Sequence, residues 1–379
     1  MTNKEFDPTQ WCVPGVRQLK PYEPGKPISE LQRELGIDDI IKLASNENPL
    51  GPSPRAVEAM HAALDDIALY PDGNAFALKD ALGKFHDIDA KRITVGNGSD
   101  HLLELIARAF LGPGRSVVFA RYAFAIYAIV SQAAGAELRV AEARPPQDSG
   151  QPYGHDVDTM LAAIDDSTRV VFVANPNNPT GTYLNREELE RLLDGVPANT
   201  VVVIDEAYYD YAAPYTKDYP DTRALLERYP NLILLRTFSK AYGLAGVRVG
   251  YALSTPTMTD CINRVRLAFN PNSLGQVAAV AALADREHVE RTTELNHEEL
   301  QKLDAGVRAL GLDVIPSVCN FVTADVGRPA REAFQALLRE GVIVRPLDGY
   351  GLATHLRLSV GLPEHNQRLL EALRRVLEK

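Results

Sequence analysis

The run Val201-Val-Val-Ile-Asp205-Glu-Ala-Tyr208 sets four consecutive β-branched residues ahead of an acid. Such a run reads as a strand apolar on both faces, the kind found inside parallel sheets. A carboxylate at its end is costly to bury unless a positive group meets it. Downstream comes Arg236-Thr-Phe-Ser-Lys240-Ala-Tyr-Gly-Leu-Ala-Gly-Val-Arg248. Lysines are usually solvated, but Phe238, Ala241, Tyr242 and Leu244 argue against an exposed face around Lys240. Thr237, Ser239 and Arg248 add two hydroxyls and a guanidinium, the donor set that a phosphate monoester asks for.

Outward from that strand, apolar β-type runs alternate with helical patterns between residues 42 and 269. Strands are predicted at 93–95, 116–119, 136–140, 170–174, 201–204, 232–235 and 249–253, with helices at 100–111, 125–134, 157–163 and 186–193. The alternation predicts an α/β domain with a mostly parallel seven-stranded sheet flanked by helices. A long helical stretch follows at 257–311, then strand, helix, strand and strand at 320–324, 329–340, 342–345 and 355–359, and a last helix at 363–377. The expected division is an arm over 1–42, a large domain over 43–269 and a smaller α+β domain over 270–379. The arm is rich in Pro and Gly and carries a short helix near 28–35. It must pack on its own body or on a partner subunit.

The 379 residues carry a formal net charge of −10, with 45% apolar and 24% charged side chains. That balance suits a globular chain and argues against nucleic acid or an anionic membrane as main partner. The cysteines Cys12, Cys261 and Cys319 are far apart and odd in number. Neither a disulfide framework nor a metal site is expected from them. The polar N-terminal stretch and the lack of a spanning apolar run predict a cytoplasmic protein.

Two further motifs follow predicted strands. Gly96-Asn-Gly98-Ser99-Asp100 opens a helix, where free N–H groups and the dipole favour an anion. It departs from the dinucleotide fingerprint, because His101 takes the third glycine position. An ordinary capped turn reads equally well here. Asn175-Pro-Asn-Asn178-Pro-Thr-Gly181 places an asparagine where it can donate to a ligand oxygen. An acid after a buried strand, then a lysine among hydroxyls and an arginine, suits pyridoxal 5′-phosphate. The lysine would form a Schiff base and the acid would hold the ring nitrogen protonated.

The ordered motifs at 175–181, 205–208 and 237–251 resemble the fold-type-I, class-II pyridoxal-phosphate aminotransferases, and among them most resemble the histidinol-phosphate aminotransferases. The similarity runs from Leu43-Ala-Ser-Asn-Glu-Asn-Pro to Leu356-Arg-Leu-Ser-Val-Gly361. It implies a large domain with a smaller α+β domain, and transamination of L-histidinol phosphate with 2-oxoglutarate in histidine biosynthesis. By the same resemblance Lys240 is the Schiff-base lysine, Asp205 the pyridinium partner, and Asn178 and Tyr208 the ligands of the cofactor's O3′. Gly98, Ser99, Asp100, Thr237, Ser239 and Arg248 are implied to line the phosphate site, and Phe124 to stack on the ring. Phe124 keeps that stacking without the hydroxyl that many relatives carry. Tyr70 matches a tyrosine that reaches the phosphate of a neighbouring subunit, which implies a homodimer with shared active sites. Arg357 falls on the arginine for the substrate carboxylate, Arg345 on a second basic position, and Tyr22 near the substrate's phosphate; Asn178 borders the substrate too. An amino donor and a 2-oxo acid acceptor are the implied small-molecule partners. Transamination of aromatic amino acids is the close alternative, and decarboxylation of an amino-acid phosphate on the same scaffold a further one.

Overall fold

The computed structural model describes residues 6–17 and 19–378. Within the predicted arm, residues 1–5 and 18 lie outside the described residues. The strands are β1 (Ile41–Lys42), β2 (Ile93–Gly96), β3 (Ser116–Ala120), β4 (Glu137–Ala141), β5 (Thr168–Ala174), β6 (Val201–Asp205), β7 (Leu232–Thr237), β8 (Gly250–Leu253), β9 (Asp313–Ile315), β10 (Phe321–Asp325), β11 (Val342–Ile343), β12 (Arg345–Pro346) and β13 (His355–Ser359).

Seven of them form one sheet in the order β2-β8-β7-β6-β5-β3-β4. Neighbours from β7 to β4 pair in parallel, and β8 runs antiparallel to both β7 and β2. The central strands β5, β6 and β7 are buried on both faces, which explains their near-continuous Val, Ile and Leu content. Because β2, β5, β6 and β7 point the same way, their C-terminal ends open on one edge. That edge of an α/β sheet is where ligands bind. Asp205 is the last residue of β6, and Gly98, Asn178 and Lys240 follow the ends of β2, β5 and β7.

A four-stranded antiparallel sheet, β12-β13-β10-β9, forms the smaller layer. β1 pairs in parallel with β11, Ile41 opposite Val342, so the end of the arm becomes part of that layer. Leu31 of the helix Ile28–Leu35 is buried with Ala44, Leu338 and Ile343. The later part of the arm thus packs on the smaller layer of its own chain, while Pro14–Arg17 lies against the helix Ile126–Ala133 beside the large sheet.

Four local features differ from expectation. The helical stretch 257–311 is three helices, Pro256–Asn263, Ser273–Ala284 and Arg286–Ala309. Pro271 has no N–H to continue a helix, and the Asn272 side chain caps the next one by accepting from Gly275 N at 2.7 Å. The single strand at 342–345 is two, because β11 pairs with β1 while β12 pairs with β13. Three-residue β9 was not anticipated; a strand that short has no readable alternation. Helix Ser273–Ala284, assigned to the smaller domain by sequence, shares an apolar cluster with the large sheet through Ala278, Ala279, Ala282 and Leu283.

One buried ion pair braces the segment after β6. Arg236 Nε donates to Glu206 Oε2 at 2.9 Å, and Thr222 Oγ1 donates to Glu206 Oε1 at 2.5 Å. The Arg236 guanidinium also lies over the Tyr209 ring, 3.5 Å from its centroid. Removing one partner from such a pair leaves an uncompensated buried charge, and the pair ties Glu206, between Asp205 and Tyr208, to β7.

Candidate active site

One pocket at the C-terminal edge of the sheet is lined by Ser99, Asp100, Phe124, Asn178, Asp205, Tyr208, Thr237, Ser239, Lys240 and Arg248. Residues separated by up to 149 positions thus meet in one place. Gly98 adjoins them: a Cβ there would sit 2.3 Å from Arg248 Nη2 and 2.4 Å from Asp100 Oδ1. Its φ of +84° is the left-handed region that glycine adopts freely.

Asp205 ends β6 and is 5% exposed. Its Oδ2 accepts from the Tyr127 hydroxyl at 3.0 Å and its Oδ1 from Ala207 N at 3.3 Å. Burial raises its carboxyl to about 6, against those two hydrogen bonds, which pull it down. Among the described residues no cation forms an ion pair with it within 4.0 Å. An acid in that condition fits a cationic ring N–H.

Lys240 is half-buried, and its Nζ donates to the Ser45 carbonyl at 3.2 Å. Burial, and then the charge of Arg357, lower the amine to about 8. A sizeable neutral fraction therefore exists near neutral pH, the form that attacks a carbonyl. Tyr208 is buried beside it, and its hydroxyl accepts from Asn46 Nδ2 at 2.8 Å. Burial pushes that hydroxyl's pKa well up, so it stays protonated.

Around Gly98 the donors converge on one spot. The helix Ser99–Phe110 begins there with no side-chain cap, leaving its first N–H groups free. Arg248 Nη2 donates to Asp100 Oδ1 at 2.8 Å and Nη1 donates to Ser239 Oγ at 3.2 Å. Ser239 N donates to Thr237 Oγ1 at 3.1 Å. Asp100 is itself an anion, so its side chain orients Arg248 and its contribution to binding an anion lies in that. A helix terminus, two hydroxyls and a guanidinium in one cradle fit a phosphate.

Arg357 on β13 is 4% exposed. It donates from Nη1 to Asn178 Oδ1 at 2.5 Å and from Nη2 to the Ala44 carbonyl at 2.7 Å, while Nε has no partner. A buried guanidinium held only by neutral oxygens fits an incoming anion. Tyr22 and Arg345 line an adjoining cavity that shares Phe124. The Arg345 guanidinium stands 5.4 Å from the Tyr22 ring centroid, and Tyr22 meets Phe124 edge-on at 6.3 Å.

Tyr70 is the exception. It is 78% exposed and stacks on Phe269 at 4.3 Å, outside the Lys240 pocket. Two residues were missed altogether, Tyr127 and Asn46. Tyr127 follows Phe124 by one helical turn, and Asn46 lies in the 43–49 run, but neither spacing reveals its partner. Among the described residues, no group of three or more His, Cys, Asp or Glu side chains is placed to hold a metal. No helix among them is long and apolar enough to cross a membrane.

Comparison with known proteins agrees with this geometry. The family described as aminotransferase class I and II matches residues 38–373. Histidinol-phosphate aminotransferase 2 of Pseudomonas fluorescens (strain Pf0-1) is 54% identical over 368 residues, 97% of each chain. The protein of the same name from Pseudomonas aeruginosa is 55% identical over 366 residues, 96% of this chain and 97% of its own. The crystal structure of histidinol-phosphate aminotransferase from Sinorhizobium meliloti in complex with pyridoxal-5′-phosphate superposes with a TM-score of 0.86 at 30% identity, covering 97% of both chains. The fold is that of the fold-type-I transferases, and the chain belongs to the class I and II aminotransferase family.

Proposed function

We propose that this chain transfers the amino group of L-histidinol phosphate to 2-oxoglutarate, as a step of histidine biosynthesis, with pyridoxal 5′-phosphate in the Lys240 pocket. The observation that carries the chemistry is the buried Asp205 carboxylate, without a cation, in one pocket with the depressed amine of Lys240. The names of relatives 54% and 55% identical over nearly the whole chain support the substrate.

When bound, pyridoxal phosphate supplies an aldehyde for amine capture and a ring that spreads carbanion charge. Lys240 Nζ would hold the cofactor's aldehyde, and its amine would carry a proton to and from the substrate. Asp205 would keep a proton on the ring nitrogen. The Gly98–Ser99 turn, Thr237, Ser239 and Arg248 would bind the phosphate, and Phe124 would pack against the ring. Asn178 and Tyr208 would supply donors to the phenolic oxygen. Arg357 takes the carboxylate of glutamate or 2-oxoglutarate, and Tyr22 with Arg345 takes the far end of the substrate. Arginine suits both anions, since its planar fork pairs with carboxylate or phosphate.

The protein acts as a cytoplasmic homodimer with shared active sites. Ile67, Leu69, Tyr70, Phe76, Leu267 and Phe269 are all exposed, an apolar face that suits a second copy of the chain. Tyr70 in that face would reach the partner's phosphate site. The large sheet with its helices forms one body, the four-stranded sheet the other, with the arm joined to the second.

Single-turnover absorbance of the cofactor-loaded protein tests the reading. Histidinol phosphate should convert the cofactor rapidly and phenylalanine slowly. Equal or faster conversion by phenylalanine would replace the assignment with an aromatic aminotransferase.

A further inference from the structure

Asn46 sits between the two layers, and each of its polar atoms is committed. Its backbone N–H donates to Ser359 Oγ at 2.9 Å, and its carbonyl accepts from Asn320 Nδ2 at 3.0 Å. A backbone N–H can only donate, so Ser359 Oγ accepts there and has its own proton for another partner. That partner is Asn46 Oδ1, 2.7 Å away. The side-chain amide is thereby oriented by hydrogen-bond accounting, with oxygen toward Ser359 and Nδ2 toward Tyr208. Nδ2 lies 2.8 Å from the Tyr208 hydroxyl and can only donate to it. The phenolic proton is therefore turned away from Asn46, toward the pocket that Tyr208 lines with Asn178 and Lys240.

We propose that Asn46 is a positioning residue that compels the Tyr208 hydroxyl to act as a donor into the cofactor pocket, an inference that rests on the reading of that pocket given above. The backbone is shaped for the task. Asn46 has φ +56°, a conformation open to Asn, Asp and Gly and strained for most other residues. Alanine in its place would lose the donor, and a carboxylate would reverse it. In the reversed case Tyr208 donates outward, and the phenolic oxygen of the bound cofactor loses one of its two donors. Less stabilisation of that oxyanion holds a proton on the Lys240 linkage to higher pH.

The test is the pH midpoint of the bound cofactor's visible absorbance, which a merely structural role does not move. Asn46→Asp and Asn46→Gly both tolerate the positive φ, so both should fold. The N46D midpoint should rise by about one unit, the scale of one hydrogen bond, close to the rise in Tyr208→Phe. N46G, which frees the hydroxyl to rotate, should give a smaller rise of the same sign. The decisive comparison is the N46D/Y208F pair, since a carboxylate could also act through space. The shift from N46D should largely vanish in the Y208F background. An equal shift in both backgrounds, or none from either Asn46 variant, overturns the proposal while leaving the cofactor reading intact. Wild-type protein that takes up no pyridoxal phosphate would instead remove that reading, and this proposal with it.

Discussion

Arg357 Nη1 donates to Asn178 Oδ1 at 2.5 Å, so a buried guanidinium is hydrogen-bonded to an asparagine that lines the Lys240 pocket. Arg357 is buried, and among the described residues no carboxylate forms an ion pair with it. Replacing it by Ala should raise the KM for glutamate by ~100-fold, the scale of one buried charge-assisted pair, with cofactor uptake retained. Arg357→Lys should rescue little, because a point charge cannot reproduce the fork. Half-reaction kinetics with glutamate check this, and unchanged kinetics would remove the role.

The same arginine lowers the Lys240 amine, second to burial. The rate of cofactor uptake by the apoprotein should rise with pH through a midpoint of about 8 as the neutral amine forms. In Arg357→Met that midpoint should move upward by ~0.5–1 unit, because a nearby positive charge has gone. A pH series of stopped-flow uptake measures it; a downward move would contradict the assignment.

Asp205 makes a linked statement about stability. Its folded-state carboxyl is raised to about 6 from 3.8, so between those values the folded protein binds more protons than the unfolded chain. Stability of the cofactor-free protein therefore falls as pH rises through that window. Asp205→Asn should be more stable than the wild type above about pH 6, by at most ~3 kcal/mol, and the gain should disappear near pH 4. In the loaded enzyme the same change should slow turnover by ~100-fold or more. Paired melting curves of the apoproteins across pH decide the first point.

Gly98→Ala should weaken pyridoxal phosphate binding by about 10-fold or more. The added carbon meets Arg248 and Asp100 at a backbone φ of +84°, so the cradle must open or strain. Gly112→Ala serves as the control, since a Cβ there meets nothing within 4 Å. Equilibrium dialysis of the two variants separates the outcomes.

The exposed face around Tyr70 gives an assembly prediction. Leu69→Asp or Phe269→Asp should raise the subunit dissociation constant at least ~100-fold, by burying a charge in an apolar contact. Sedimentation velocity reads the shift. A wild type that sediments as a monomer at every concentration would sink the dimer.

The sheet was legible because β5, β6 and β7 are apolar on both faces, a pattern that few other environments produce. Asp205 and Lys240 stood out for the opposite reason: each is a charge on an apolar background. What sequence could not show was pairing across distance. Tyr127 meets Asp205 across 78 positions and Asn46 meets Tyr208 across 162, and tyrosine and asparagine are unremarkable where they stand. The break at Asn270-Pro-Asn-Ser273 was readable within the 257–311 stretch, since Asn-Pro followed by Asn and Ser is itself a turn signal. Tyr70 shows the reverse problem: its motif was readable, while a single chain places it on the outside.

The ribbon from Ile41 to Asn46 carries a consequence for how the protein is made. Its Leu43 carbonyl accepts from Ser359 N, Leu43 N donates to Ile343, and Asn46 is held by Ser359 and Asn320. On the ribosome this ribbon emerges before the strands of the large sheet, yet Asn320 and Ser359, which hold Asn46, are translated 274 and 313 residues after it. The seven strands of the large sheet can assemble while the ribbon waits, since domains generally fold as units during synthesis. A nascent chain stopped before Ser359 would therefore carry the Ser45 carbonyl that meets Lys240 without the Ser359 contacts that anchor it.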